Sequence, residues 1–277
     1  MNGVLAEILV AKRDEVTLLH QPQTRDAIRR AALDAAPVRN FATALRRSDQ
    51  RVAVIAEIKR RSPSKGDLAP DLDSAVTAKA YEAGGAAALS VLTDRPFFAG
   101  SVDDLRSARD ATALPVLRKD FIIDEIQVLE ARAIGADALL LIAAALPDDA
   151  LLAELHGFAG DLGLTALVEV HDEAELDRAL AAGAVVIGVN CRDLATFGED
   201  LSVAERLVER MPADVTAVAE SAIRVPGDAQ RMGAAGFDAV LVGEALVRAA
   251  DATTLVGELA ALPTSPREWR ERGAGSV

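Results

Sequence analysis

Short uninterrupted apolar runs alternate along this chain with longer stretches whose apolar residues recur at helical spacing. The segments 84–93, 135–143, 183–190 and 236–243 share one layout: a glycine, one or more small residues, then an apolar run. Their runs begin near 86, 137, 185 and 238, roughly fifty residues apart, as in an internal repeat. Further apolar runs lie between them at 115–117, 164–170 and 215–219, and Val52–Ile58 leads the series. The pattern predicts eight strands spaced about 25 residues apart. Each is followed by a predicted helix, at 72–83, 101–111, 124–134, 148–162, 172–182, 202–210, 226–235 and 245–260. Strands that alternate with helices pair in parallel. Apolar runs without polar alternation are the mark of strands covered on both faces. Gly135, Gly183 and Gly236 fall where helices should end, a position that suits glycine. The fold expected is α/β, a (β/α)8 TIM barrel.

Residues 1–50 stand outside the repeat and predict helices at 4–18, 24–35 and 40–48. Leu5, Ile8, Leu9, Val16 and Leu19 give the first an apolar stripe, so it should pack on the barrel. The expectation is a single domain over 1–262 that includes this extension, followed by a flexible tail over 263–277 in which Trp269 is a loose anchor.

Ionisable residues gather at the exits of the predicted strands. Glu57 and Lys59 end the first, before the loop SPSKG that holds Lys65. Lys119 follows the third, Glu169 ends the fifth, Asn190 and Arg192 end the sixth, and Glu220 ends the seventh. In a parallel barrel these exits share one rim, where such enzymes assemble their active sites. Lysine usage sharpens the picture. The chain has five lysines against 25 arginines, yet Lys59, Lys65 and Lys119 fall in just two exit segments. A buried ammonium can serve as a general acid, and a guanidinium cannot. Glu57 and Glu169 enter a low-dielectric mouth and suit a base, or else a structural ion pair with the lysines. Arg192 can hold a carboxylate through two hydrogen bonds, while its neighbour Asp193 suits local pairing. The loops after the last two strands, 220–227 and 242–248, are candidate phosphate cradles in which Gly243 permits close backbone approach.

Composition narrows the partners. Apolar residues make up 51% and aromatics only 3%, so the core is built from Ala, Leu and Val. A net charge of −13 with no basic stripe argues against nucleic acid and anionic membrane surfaces. It also means that an anionic substrate needs a locally positive pocket. No apolar run reaches the ~18 residues of a membrane span. The N-terminus lacks a signal-peptide layout, and the single Cys191 excludes an internal disulfide. A cytoplasmic protein is expected, as a monomer or at most a weak homo-oligomer. His20, His156 and His171 lack metal-ligand spacing, so neither a metal nor any cofactor is expected. His171 reads as a capping or surface residue. Cys191 should point away from Asn190 and Arg192, and no base accompanies it as a nucleophile. No GxGxxG or Walker-type loop is present.

The ordered motifs AEIKRRSPSKG, LSVLTDRPFFAGS, LRKDFIID, LVEVHDEAEL, VNCRDLATF and AESAI resemble the indole-3-glycerol phosphate synthase family of tryptophan biosynthesis, over about residues 40–250. The resemblance implies a cofactor-free lyase. Such an enzyme closes the ring of 1-(2-carboxyphenylamino)-1-deoxyribulose 5-phosphate with loss of carbon dioxide and water. Carried over motif by motif, Lys119 is the general acid and Glu169 the base or proton shuttle. Lys59 and Glu57 steer the substrate carboxylate and hydroxyls. Ser62, Asn190, Arg192, Glu220 and Ser221 are positioning residues. Phe98 and Phe121 wall the aromatic ring, with Leu194 and Leu241 also at the substrate. Ala222, Gly243 and Glu244 sit where the family holds phosphate.

The family pattern reads AESGI, so Ala222 departs from it. A positive φ there would strain the alanine by roughly 1 kcal/mol. Glu244 would repel phosphate unless it turns outward. Two other readings stay open: a Schiff-base aldolase using Lys59 or Lys119, and a silent paralogue that binds a related anion.

Overall fold

The computed structural model describes residues 3–47, 49–192 and 198–267. Eight parallel strands close a barrel: β1 (Ala53–Ile58), β2 (Ala88–Leu92), β3 (Val116–Lys119), β4 (Ala138–Ile142), β5 (Thr165–Val170), β6 (Val186–Asn190), β7 (Thr216–Glu220) and β8 (Ala239–Val242). Neighbours follow chain order, and β8 returns to pair with β1 in the register Ala53↔Ala239 to Ala56↔Val242. The predicted strands and their parallel pairing are present. The third extends beyond its predicted end, so Lys119 is the last residue of β3 rather than a loop residue.

Period two divides the strand side chains between two apolar clusters. Ala53, Ile55, Leu117, Leu140, Leu167, Val218 and Leu241 fill the barrel. Val54, Ala56, Ile58, Val91, Val116, Val168 and Val240 face the helices instead. The inward parity runs on to the strand ends. Residues 53, 55 and 57 share a face, as do 117 and 119, 167 and 169, and 218 and 220. The apolar interior therefore gives way to Glu57, Lys119, Glu169 and Glu220 at one end.

The first helices are α1 (Val4–Leu19), α2 (Pro22–Asp34) and α3 (Phe41–Leu45). Phe41 and Leu45 are fully buried in the same cluster as the first residues of β1, β2 and β4, so α3 plugs the floor of the barrel. The outer helices are α4 (Ser74–Ala83), α6 (Val102–Ala111), α7 (Glu125–Ala133), α8 (Asp149–Asp161), α9 (Glu173–Ala181), α10 (Leu201–Val208), α11 (Pro226–Ala235) and α13 (Ala252–Ala260). The short α5 (Arg95–Phe98) and α12 (Glu244–Arg248) follow β2 and β8. Asp73, Asp124, Asp172 and Asp200 cap α4, α7, α9 and α10 through their carboxylates, which accounts for part of the acidic excess. Gly135, Gly183 and Gly236 end helices with φ of +88°, +83° and +105°.

Two expectations need correction. The helix predicted at 245–260 is two, because Ala249 is extended and Asp251 starts a new N-cap. The helix predicted at 40–48 stops at Leu45. At the start of the tail, Pro263 bridges Arg51, and the Ser265 N–H donates to the Gly233 carbonyl at 2.9 Å. Arg267 also reaches the Gly236 carbonyl and Asp238. Trp269 lies outside the described residues.

Candidate active site

The inward residues at the carboxyl ends of the strands line a cavity of about 500 Å³. Lys119 is among its lining residues. Its Nζ donates to Glu169 Oε2 at 2.9 Å and to Glu220 Oε2 at 2.5 Å. Burial acts against the ammonium, but Glu169, Glu220 and Glu57 outweigh it and raise its affinity for the proton. The two glutamates are driven apart. Burial favours protonation of both. For Glu169 it is overcome by Lys119, by His171, and by hydrogen bonds from Asn190 (3.0 Å) and Lys119, so this carboxyl is held below its ordinary value. For Glu220 burial prevails with help from the Glu169 charge, and its carboxyl is raised. Its Oε1 is buried and has no hydrogen-bond partner among the described residues. Carboxyls with opposed tuning beside one ammonium are an acid–base arrangement.

Glu57 and Lys59 form a second pair, 2.6 Å apart, with Ser90 Oγ donating to Glu57 Oε2 at 3.2 Å. Burial raises the Glu57 carboxyl, but Lys59 and Lys119 more than offset this and keep it low. Beyond Lys59 the chain turns back in a small antiparallel hairpin, Arg61–Ser62 with Gly66–Asp67, which puts Ser62 and Lys65 at the cavity. Phe98 and Phe121 flank the mouth with ring centroids 6.1 Å apart, tilted by 37°. Leu241, Ser221, Ala222, Gly243 and Glu244 complete the far side.

The sites of two glycines are shaped by this chemistry. A Cβ on Gly243 would sit 2.5 Å from Glu57 Oε1, and one on Gly188 would sit 2.0 Å from Glu220 Oε1. Ser221 and Ala222 both take positive φ, +65° and +59°, so the alanine that replaces the family glycine does sit in the strained region. Glu244 pairs with Arg248 at 3.2 Å.

All the sequence-derived candidates among the described residues line this cavity; Leu194 lies outside the described residues. Arg192 is engaged within the protein, since Glu199 binds it at 2.5 Å and also pairs with Arg224. The reading of His171 as a capping or surface residue is wrong: Asp172 caps α9, and His171 Nε2 lies 3.5 Å from Glu169 Oε1. Cys191 is buried and its thiol is pushed up to about 12, chiefly by burial, which removes it as a nucleophile. Sequence reasoning missed Val4, Leu5 and Ile8 of α1 at the cavity wall. Their stripe was visible, but its destination was not. It also missed Lys12, whose buried ammonium bridges Asp94 (3.0 Å) and Asp120 (2.9 Å), next to Phe98 and Lys119.

A closed (β/α)8 barrel with a lysine set between two glutamates at the carboxyl rim defines an acid–base barrel enzyme. The model of the family described as indole-3-glycerol phosphate synthase matches residues 5–259. The chain belongs to that family. It is 50% identical over 256 residues to indole-3-glycerol phosphate synthase 2 of Streptomyces coelicolor, covering 92% of this chain and 98% of that protein. It is 48% identical over 263 residues to the indole-3-glycerol phosphate synthase of Mycobacterium avium, covering 95% and 96%. Two solved structures share the fold. Thiamine phosphate pyrophosphorylase from Pyrococcus furiosus matches with TM-score 0.58 at 19% identity, covering 79% of this chain and 96% of that one. The 2-keto-3-deoxy-6-phospho-gluconate aldolase of Zymomonas mobilis matches with TM-score 0.60 at 17% identity, covering 82% and 100%.

Proposed function

We infer that this chain carries out the reaction of its family, closing the ring of 1-(2-carboxyphenylamino)-1-deoxyribulose 5-phosphate to form indole-3-glycerol phosphate. It is a decarboxylating lyase of tryptophan biosynthesis. The observation that carries the assignment of roles is the Lys119 ammonium, bound by Glu169 and Glu220 and facing a cavity with an aromatic mouth.

The substrate ketone lies with its oxygen toward Lys119. As the aromatic carbon attacks, negative charge grows on that oxygen, and the ammonium stabilises it most in the transition state. The proton passes from Nζ to oxygen. The ring then holds a positive charge that accepts the electron pair left by departing carbon dioxide. In the dehydration, Lys119, reprotonated through the Glu220 carboxyl bonded to it, gives the new hydroxyl a second proton so that it leaves as water, and Glu169 removes the proton from the adjoining ring carbon. Lys59, held by Glu57, steers the substrate carboxylate, and Arg192 is a second carboxylate site in exchange for Glu199. Asn190 orients Glu169. Phe98 and Phe121 bracket the aromatic ring. Phosphate is assigned to the backbone around Ala222 and Gly243, and the pairing of Glu244 with Arg248 supports this by reducing the repulsion expected there.

The Schiff-base alternative needs a neutral amine, and three carboxylates hold the Lys119 proton in place. Lys119→Met should lose nearly all turnover in a fluorescence assay for indole-3-glycerol phosphate. Wild-type turnover in that variant removes the assignment, and a borohydride-trapped ketose adduct would favour the aldolase.

The reading extends to a cytoplasmic monomer acting on a small phosphorylated substrate. Among the described residues no helix is long and apolar enough to cross a membrane.

A further inference from the structure

His171 follows the last residue of β5, behind Glu169, and the reaction as described gives it no task. Its placement is built by two elements. Its backbone N–H donates to Glu175 Oε2 at 2.8 Å, and its Nδ1 lies 3.0 Å from the same oxygen. Glu175 is in turn set by the Asp172 cap, its own N–H donating to Asp172 Oδ1 at 2.8 Å. With Nδ1 committed to Glu175, the other ring nitrogen points at the catalytic base: Nε2 is 3.5 Å from Glu169 Oε1, buried, with no hydrogen-bond partner among the described residues.

A neutral imidazole has one N–H and one lone pair, so between two carboxylates it must turn a lone pair toward one of them. Only the imidazolium presents a proton to both. The charged groups around the ring are Glu175 on α9, Glu169 on β5 and Glu220 on β7, with Lys119 on β3 beyond Glu169. Burial opposes the positive ring, and the three carboxylates outweigh it, so its affinity for a proton is raised.

We propose that His171 is a positioning residue for the ring closure, an imidazolium oriented by Glu175 that keeps Glu169 ionised while Lys119 gives up its proton. The proposal rests on the roles assigned above to Lys119 and Glu169. In the resting site the Lys119 ammonium holds both Glu169 and Glu220 by hydrogen bonds. When the Nζ–H bond breaks and the proton moves to the substrate oxygen, the amine is neutral, and the two carboxyls lose their shared cation. Lys59 cannot replace it, because Glu57 binds it at 2.6 Å. The imidazolium is the positive group left in contact with Glu169. It keeps that carboxylate a base for the dehydration that follows.

The test is a set of pH profiles of kcat and KM for the wild type, His171→Gln and Glu175→Gln. In His171→Gln, kcat at neutral pH should fall about tenfold with KM within about twofold, and the acid limb of kcat should rise by about one pH unit as Glu169 protonates more readily. In Glu175→Gln the amide still accepts from the ring but its charge is gone, so the alkaline fall in kcat should begin at lower pH. This second variant carries the test if His171→Gln does not fold. A His171→Gln profile that superimposes on the wild type after scaling, or an unmoved alkaline limb in Glu175→Gln, overturns the proposal. An inactive Lys119→Met beside an unmoved His171→Gln profile removes this inference alone. An active Lys119→Met removes the assignment beneath it.

Discussion

Gly188→Ala tests whether the Lys119–Glu220 contact matters, without altering either residue. Gly188 lies on β6 and faces the barrel interior beside Glu220. An added methyl would sit 2.0 Å from Glu220 Oε1, 3.0 Å from its Cδ and 3.3 Å from Leu167 Cδ1. Ordinary contact begins at 3.4 Å, so the carboxylate must retreat by about 1.4 Å. Its bond to Lys119 is 2.5 Å long, and a shift of that size breaks it while Glu169 keeps its own hold at 2.9 Å. The clash falls on the end of a flexible side chain, so the overpacking cost should stay near 1–3 kcal/mol and the barrel should fold. Turnover should fall on the order of 10²-fold, the cost of displacing a group at the reacting centre by about 1 Å. Gly157→Ala is the matched control. That glycine lies in α8 with nothing within 4 Å of the added carbon, so the change should stabilise by about 0.5–1 kcal/mol and leave turnover alone. Denaturant unfolding and indole-3-glycerol phosphate fluorescence read both quantities. A folded Gly188→Ala enzyme with turnover within about twofold of wild type would refute the claim that the position of Glu220 matters.

Further outcomes follow from the same geometry. Lys12→Met leaves Asp94 and Asp120 buried without their shared cation, and should lower the free energy of unfolding by about 3–5 kcal/mol; a loss under about 1 kcal/mol in a denaturant titration counts against the buried bridge. The Glu220 carboxyl is raised from 4.5 to about 7, chiefly by burial, so its stabilising protonated state is complete below pH 4.5 and is lost as pH rises through 7. Glu220→Gln should therefore flatten the fall in thermal stability between those values, and an unchanged slope contradicts the assignment. Ala222→Gly relieves a φ of +59° and removes a methyl from the proposed phosphate cradle. Relief of about 1 kcal/mol is largely offset by the chain entropy of glycine, so stability should barely move while substrate binding tightens severalfold by titration. Weaker binding would place the phosphate elsewhere.

Much of the architecture was legible in one dimension because its causes are local. Strands buried on both faces must be apolar throughout, helices between them show a 3.6-residue period, and glycines mark the helix ends. These signals place the eight strands and, through the strand ends, most of the candidate site. Some boundaries were less legible. The break at 249–251 is a local one, an extended Ala249 and an Asp251 N-cap that the helical spacing of 245–260 concealed, whereas the docking of residues 263–267 depends on carbonyls from distant turns.

The sequence alone determined that Glu57, Lys59, Lys119, Glu169, Asn190 and Glu220 fall at the ends of five of the eight strands, because strand periodicity is written residue by residue. It could not say which of those charges touch. Tertiary structure decided that Lys119 bridges two glutamates and that Arg192 is held by Glu199. It also set His171 against Glu169 and Lys12 between two aspartates. These contacts join residues from two to more than a hundred positions apart. Their strengths depend on distance and burial, which exist only once the barrel has closed and excluded water.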